Sequence, residues 1–232
     1  MARATARSSP LRTLVTTTLV TAVLAAGGAA VAFAVAREAD IPQVDTLRIP
    51  RVAYDAYVSA AAAAPGVTDG CDIDWTVLAG LARIESKHGL MGGEHRVRRD
   101  GRAVPPIRGP ALDGTSGTRR IADTEGGAFD GDATWDRAMG PFQFIPTSWA
   151  QFGRDGNGDG IADPDNVYDA ALSAVAHLCL RQPADLTRRD ELRRALIAYN
   201  ASGRYADEVL GWIDHYRSRP LDELVADAAQ EG

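Results

Sequence analysis

The sequence predicts a mainly α fold with one long irregular or small β insertion. In the segments after residue 50, apolar residues recur at three- and four-residue spacing, the period of a helix face. From Gly92 to Trp135 that period gives way to Gly, Asp, Arg and Pro. No run of alternating residues is long enough to define a strand, so β structure is expected to be small and to lie within residues 96–125.

Residues 37–50 carry Pro42 and Pro50 among mixed polar residues and read as a linker, leaving 51–232 as the folded domain. The first helix spans Tyr54 to Ala64 and is expected to end at Pro65-Gly66, because proline disfavours helix at the residue before it. Asp74 caps a second helix whose stripe is Trp75, Leu78, Leu81 and Ala82. Glu85 stands four residues beyond Leu81 and seven beyond Leu78, so its carboxylate points inward near the helix end. Beyond the insertion, helices are predicted over Ser148–Phe152, Asp169–Leu180 and Leu192–Tyr199. A further helix has Tyr205, Val209, Trp212, Ile213 and Tyr216 on its inner face, and a tail helix is expected from Leu221 to Ala228.

The 232 residues hold 25 basic and 31 acidic side chains, with 45% hydrophobic residues, 23 Gly and 12 Pro, which excludes collagen-like and disordered classes. Arg3, Arg7 and Arg12 are the only charged residues before Arg37, so the body carries 22 basic against 31 acidic residues. Such a body offers no broad basic stripe for a phosphate backbone, and nucleic acid is excluded as a partner. The three arginines precede a charge-free run from Thr13 to Ala36, the pattern of an export signal. Residues 1–36 read as a cleaved signal peptide, with Ala32-Phe33-Ala34 or Ala34-Val35-Ala36 at the cut, or as an uncleaved signal anchor. Either reading places the body outside the cytoplasm, touching a membrane only through this segment if it is retained.

Cys71 and Cys179 lie far apart, without a Cys-x-x-Cys pair or a His and Cys cluster at metal spacing. A structural disulfide in an oxidising compartment fits this pattern, and two separate buried thiols are the alternative. Walker, dinucleotide, Gly-x-Ser-x-Gly and His-Glu-x-x-His motifs are absent, and His88, His95, His177 and His215 are scattered, His177 among apolar residues.

Three elements offer chemistry. A Glu85 carboxyl against an apolar face would have a raised pKa, as a general acid requires; the alternative is a solvated or salt-bridged helix end near Arg83, Lys87 and His88. Gln143 lies in a Gly- and Pro-shaped turn between large apolar residues, suited either to a neutral polar ligand or to pairing with the turn backbone. Tyr199 and Asn200 close a helix, as site residues or as core and C-cap. In addition, Asp155, Asn157 and Asp159 at relative positions 1, 3 and 5, Gly160 at 6 and the Ile161 carbonyl at 7 match half of a calcium loop. Asn166 stands at position 12 where a bidentate Glu is expected, and Asp169 is the compensating carboxylate; an ion-free acidic turn is the alternative.

Ile84-Glu85-Ser86, Met139-Gly140-Pro141-Phe142-Gln143, the acidic loop from Asp155 to Asp169 and Ala198-Tyr199-Asn200 occur in that order. Together they resemble the lytic murein transglycosylases, whose domain is lysozyme-like, of the goose-type and soluble lytic transglycosylase kind. The stretch from residues 107–114 through 130–132 also looks like actinobacterial members, so the likeness covers about residues 71–215. It implies Glu85 as catalytic acid and then base, oriented by Ser86. Gln143, Tyr199 and Asn200 would contact sugar or acetamido groups, and Tyr205 would line the cleft. Asp155, Asn157, Asp159, Ile161 and Asp169 would hold a structural calcium ion, with no cofactor required for the chemistry. Phe142 stands where Met is common, and Asn157 is the second side-chain ligand.

The implied partner is the glycan strand of peptidoglycan, cleaved between N-acetylmuramic acid and N-acetylglucosamine with formation of a 1,6-anhydro end. The alternatives are a hydrolytic muramidase using Asp113, Asp123 or Asp132 as a second carboxylate, and a non-catalytic wall-binding module.

Overall fold

The computed structural model describes residues 48–115, 117–181 and 185–226, so the expected export segment and most of the expected linker lie outside the described residues. The described chain runs α1 (Arg51–Val67), α2 (Trp75–Ser86), β1 (Arg96–Val97), β2 (Ala103–Val104), β3 (Arg108–Ala111) and β4 (Arg137–Met139). It continues through α3 (Pro146–Phe152), α4 (Val167–Arg181), α5 (Arg189–Tyr199), α6 (Gly203–Arg217) and α7 (Leu221–Leu224). The fold is mainly α, as the periodicity predicts. No helix among the described residues is long and apolar enough to cross a membrane.

Helix α1 packs along α4, and α2 along α6. Small side chains permit the first pairing: Ala53, Ala56, Ala60 and Ala64 of α1 and Ala170, Ala171 and Ala174 of α4 are all buried. In the second, a Cβ on Gly80 would meet Ile213 Cγ1 at 2.8 Å and the Val209 carbonyl at 3.2 Å, so only glycine allows this approach. Asp74 caps α2 by accepting from Thr76 N at 3.0 Å. Cys71, just before α2, is disulfide-bonded to Cys179 in the last turn of α4, across a sequence separation of 108.

Several boundaries differ from expectation; α3, α4 and α5, for example, begin at Pro146, Val167 and Arg189, two or three residues early. Helix α1 begins at Arg51, directly after Pro50, and continues through Pro65 to Val67. Pro65 removes only one amide donor in the final turn, while burial of Ala64 holds that turn in place. The expected linker ends inside the fold, because Ile49 is fully buried, donates to the Leu224 carbonyl at 2.7 Å and accepts from Ala226 N at 2.9 Å. The same pairing stops α7 at Leu224, since Val225 turns extended to bridge Ile49; residues 227 and 228 of the expected tail helix lie outside the described residues.

The insertion contains β structure reaching beyond residue 125. β1 pairs antiparallel with β2, and β3 with β4, with an irregularity between Arg108 and Ala111. Isolated bridges Asp113↔Arg120 and Ala122↔Trp135 add a third extended segment, around residues 120–122, next to this pair. Carboxylates replace a core as the cement here. Arg108 forms a bidentate pair with Asp165 at 2.8 and 2.9 Å, Arg137 pairs with Asp132 at 2.8 Å, and fully buried Asp136 accepts from Thr124 N and Oγ1.

Candidate active site

A cleft of about 840 Å³ opens between the helical body and the insertion. Glu85, Gln143, Tyr199 and Asn200 all line it, although they come from three separate places in the chain. The last turn of α2 supplies Glu85. There the Tyr205 hydroxyl of α6 donates a hydrogen bond to Glu85 Oε1. Burial raises the Glu85 pKa from 4.5 to about 7, opposed by that hydrogen bond, which favours the carboxylate. At neutral pH the group is therefore poised between acid and conjugate base. Among the described lining residues it is the sole carboxylic acid, and Arg119 is the sole cation.

The turn from Gly140 to Gln143 depends on glycine. Gly140 has φ +68°, and a Cβ there would lie 1.8 Å from the Pro164 carbonyl oxygen. Gln143 itself adopts a left-handed φ of 50°. Its Nε2 donates to the Gly140 carbonyl at 2.9 Å, so the amide supports its own turn while its side chain lines the cleft. Tyr199 lines the cleft beside this turn, with its hydroxyl donating to the Phe142 carbonyl at 2.8 Å. Burial raises its pKa well above the ordinary value, so it remains a neutral donor. Asn200 is exposed at the lip.

Ser86, expected to orient Glu85, and Tyr205, expected to line the cleft, both lie behind the cleft wall. Ser86 is buried; its hydroxyl donates to the Pro141 carbonyl at 2.6 Å and accepts from Gly89 N at 2.8 Å. It thus ties the end of α2 to the Gln143 turn and is absent from the cleft wall, because one helical step rotates it away from the face of Glu85. Tyr205 is likewise buried and not in the wall, and meets Glu85 from behind.

Sequence reasoning missed Arg119 and Ile121 of the insertion and Thr147 and Ser148 of α3 as cleft residues. His177, read as a core histidine, is buried, stacks on Phe152 at 4.5 Å and 19°, and also borders the cleft. His88 lies fully buried behind the site between Tyr57 OH at 3.2 Å and Tyr216 OH at 2.9 Å. Burial and nearby Arg83 lower its pKa to about 3, so it stays neutral. Asp113, Asp123 and Asp132 are not in the cleft wall. Asp113 binds Thr115, Asp123 accepts from Gly126 and Gly127 amides, and Asp132 is paired with Arg137.

The acidic loop is closed by its own side chains. Asp155 accepts from Gly158 and Gly160 amides, Asn157 from Asp159, and Asp159 from Ile161. Asp169, fully buried at the start of α4, reaches back to accept from Gly156, Asn157 and Asp163 amides at 2.8, 3.1 and 3.0 Å. The all-oxygen donor set of Asp155, Asn157, Asp159, the Ile161 carbonyl and Asp169 suits a hard cation such as calcium. Among the described residues no three His, Cys, Asp or Glu side chains converge on one point, so an ion would draw on Asn157 and backbone oxygens as well.

Residues 121–182 match the family model of the transglycosylase SLT domain, a stretch that includes the Gln143 turn, α3, the acidic loop and α4. A solved structure of the Escherichia coli lytic transglycosylase Slt35 in complex with bulgecin A is similar to this chain. It shares 15% sequence identity at a TM-score of 0.41, with 72% of this chain and 73% of that chain covered. No curated protein matches the sequence. Over residues 121–182, therefore, the chain is similar to transglycosylase SLT domains.

Proposed function

We propose that the protein cleaves the β-1,4 bond between N-acetylmuramic acid and N-acetylglucosamine in peptidoglycan by intramolecular transglycosylation, leaving a 1,6-anhydro end. The observation that carries this reading is the lone acid: Glu85 brings the one carboxyl to the described cleft wall, with a pKa of about 7. Ordinary glycosidases flank the scissile bond with two carboxyl groups, the second as nucleophile or as base for water. None of Asp113, Asp123 and Asp132 lines the cleft to act as that second group.

One carboxyl suffices when the nucleophile is the substrate's own C6 hydroxyl. Protonated Glu85 gives its proton to the glycosidic oxygen as the bond from that oxygen to the anomeric carbon breaks. The C6 oxygen bonds to the anomeric carbon, and its proton passes to the Glu85 carboxylate, which restores the acid. Tyr205 holds the carboxyl in place, while Gln143, Tyr199 and Asn200 hold the sugar and its acetamido groups. A raised carboxyl pKa in a cleft is costly to maintain and suits catalysis better than passive wall binding.

Calcium in the Asp155–Asp169 loop would fix the approach of α3 to α4 beside the Gln143 turn and supply no chemical step. Peptidoglycan lies outside the cytoplasm, and residues 1–36 are the export signal that takes the protein there. The reading is tested on purified cell walls. Glycan must be released without new reducing sugar, because a hydrolase exposes one reducing end at every cut.

A further inference from the structure

The insertion presents one cation to the cleft. Ile121 N donates to the Leu112 carbonyl at 2.7 Å and Asp136 N to the Ile121 carbonyl at 3.2 Å, which fixes residues 119–123 as a strand-like segment. Side chains alternate along such a segment. Arg120 turns to one side and sets its guanidinium over the Trp135 ring at 5.2 Å, whereas Arg119 and Ile121 fall on the other side and line the cleft. Arg108 and Arg137 of the same insertion are held by Asp165 and Asp132. Among the described residues Arg119 takes part in no ion pair and is exposed at the cleft rim, in a body where acidic side chains outnumber basic ones.

A strand of N-acetylated sugars is neutral apart from the substituent on muramic acid, a lactyl ether that ends either in a carboxylate or in a peptide bearing carboxylates. We propose that Arg119 is a specificity-determining residue that binds a carboxylate of this muramoyl substituent and so sets which sugar of the alternating strand lies beside Glu85. This inference rests on the proposed substrate. An exposed charge-assisted pair of about 1.4 kcal/mol corresponds to a tenfold change in affinity.

The test measures binding to Glu85→Gln protein, with and without Arg119→Ala or Arg119→Lys. Three polymers are used: peptide-bearing strands, strands stripped to the free lactyl carboxylate, and stripped strands whose carboxylate is capped as a neutral amide. Arg119→Ala is expected to weaken binding about tenfold on a carboxylate-bearing polymer. The effect must vanish on the capped one, and Arg119→Lys must recover part of the loss. A loss on the stripped strands identifies the lactyl carboxylate, and a loss confined to peptide-bearing strands identifies the stem peptide. Equal affinities throughout, or an equal loss on the capped polymer, would overturn the proposal. Cleavage by unsubstituted protein is read separately: no cleavage with carboxylate-dependent binding sinks the catalytic reading alone, whereas cleavage without that dependence sinks the role of Arg119 alone.

Discussion

The hydroxyl of Tyr205, in the first turn of α6, donates a hydrogen bond to Oε1 of Glu85, in the last turn of α2. The bond favours the carboxylate, and burial favours the neutral acid by more, which leaves the pKa at about 7. Since the first step requires the protonated form, kcat/KM should fall as pH rises through about 7. Tyr205→Phe removes the contribution that lowers the pKa, so the alkaline limb of the pH profile should move to higher pH. A limb that stays in place or moves down would show that Tyr205 does not tune Glu85.

Glu85→Gln keeps the shape of the side chain and removes its proton. Turnover on purified peptidoglycan should drop by ~10² to 10⁴ with the fold intact. Stability should change in the opposite sense. The folded pKa lies above the unfolded value of about 4.5, so the unfolded chain loses its proton first. Stability contributed by the neutral acid is complete below that value and is lost as pH rises toward 7. Glutamine does not titrate, so the melting temperature of the variant relative to the parent should be higher at ~pH 8 than at ~pH 4. A difference independent of pH would mean that Glu85 is not buried as described.

The Cys71–Cys179 bond closes a loop across 108 residues and ties the start of α2 to the end of α4. In the chain-entropy model such a crosslink is worth on the order of 4 to 5 kcal/mol. The folded protein, purified under oxidising conditions, should show no free thiol, and reduction or Cys71→Ser should lower the urea midpoint. Two thiols that react freely in that folded, unreduced protein would refute the crosslink.

Calcium that binds only the folded chain adds RT ln(1 + [L]/Kd), about 2.7 kcal/mol at 100-fold excess over Kd. It should raise the melting temperature, and Asp159→Ala should abolish the rise. Chelation well below the melting temperature should leave turnover nearly unchanged. A melting temperature indifferent to calcium makes the loop an acidic turn held by hydrogen bonds. Loss of turnover in chelated but folded protein gives the ion a catalytic role.

Gly140→Ala should unfold the Gln143 turn, because its Cβ has only 1.8 Å to the Pro164 carbonyl oxygen and φ is +68°. Gly66→Ala, near the end of α1, has no neighbour within 4 Å and should change stability by about 1 kcal/mol or less. Thermal melts of the two variants separate a steric requirement from a general cost of losing glycine.

What the sequence disclosed follows the range of the forces involved. The Asp74 cap, the α2 stripe and the inward Glu85 are set by neighbours three or four residues away, and all were legible. Pro65 was misread because burial of Ala64 outweighs the local preference of one proline. β4 was missed because three residues are too few to show alternation, and its partner β3 lies far away in sequence, held through Arg108 by the equally distant Asp165. Ser86 follows Glu85 in sequence yet faces Pro141, and Arg119 reaches the cleft only because the insertion folds back. Nothing local marks either position.

The identity of the nucleophile at the anomeric carbon separates transglycosylation from hydrolysis. Purified cell walls should be digested with the unsubstituted protein, with Glu85→Gln as control, and the muropeptides weighed by mass spectrometry. Capture by the C6 hydroxyl predicts that newly formed muramoyl ends are anhydro species, one water lighter than their reducing counterparts, and absent from the Glu85→Gln digest. Reducing muramoyl ends formed in proportion to cleavage would show that water is the nucleophile and contradict the single-carboxyl mechanism.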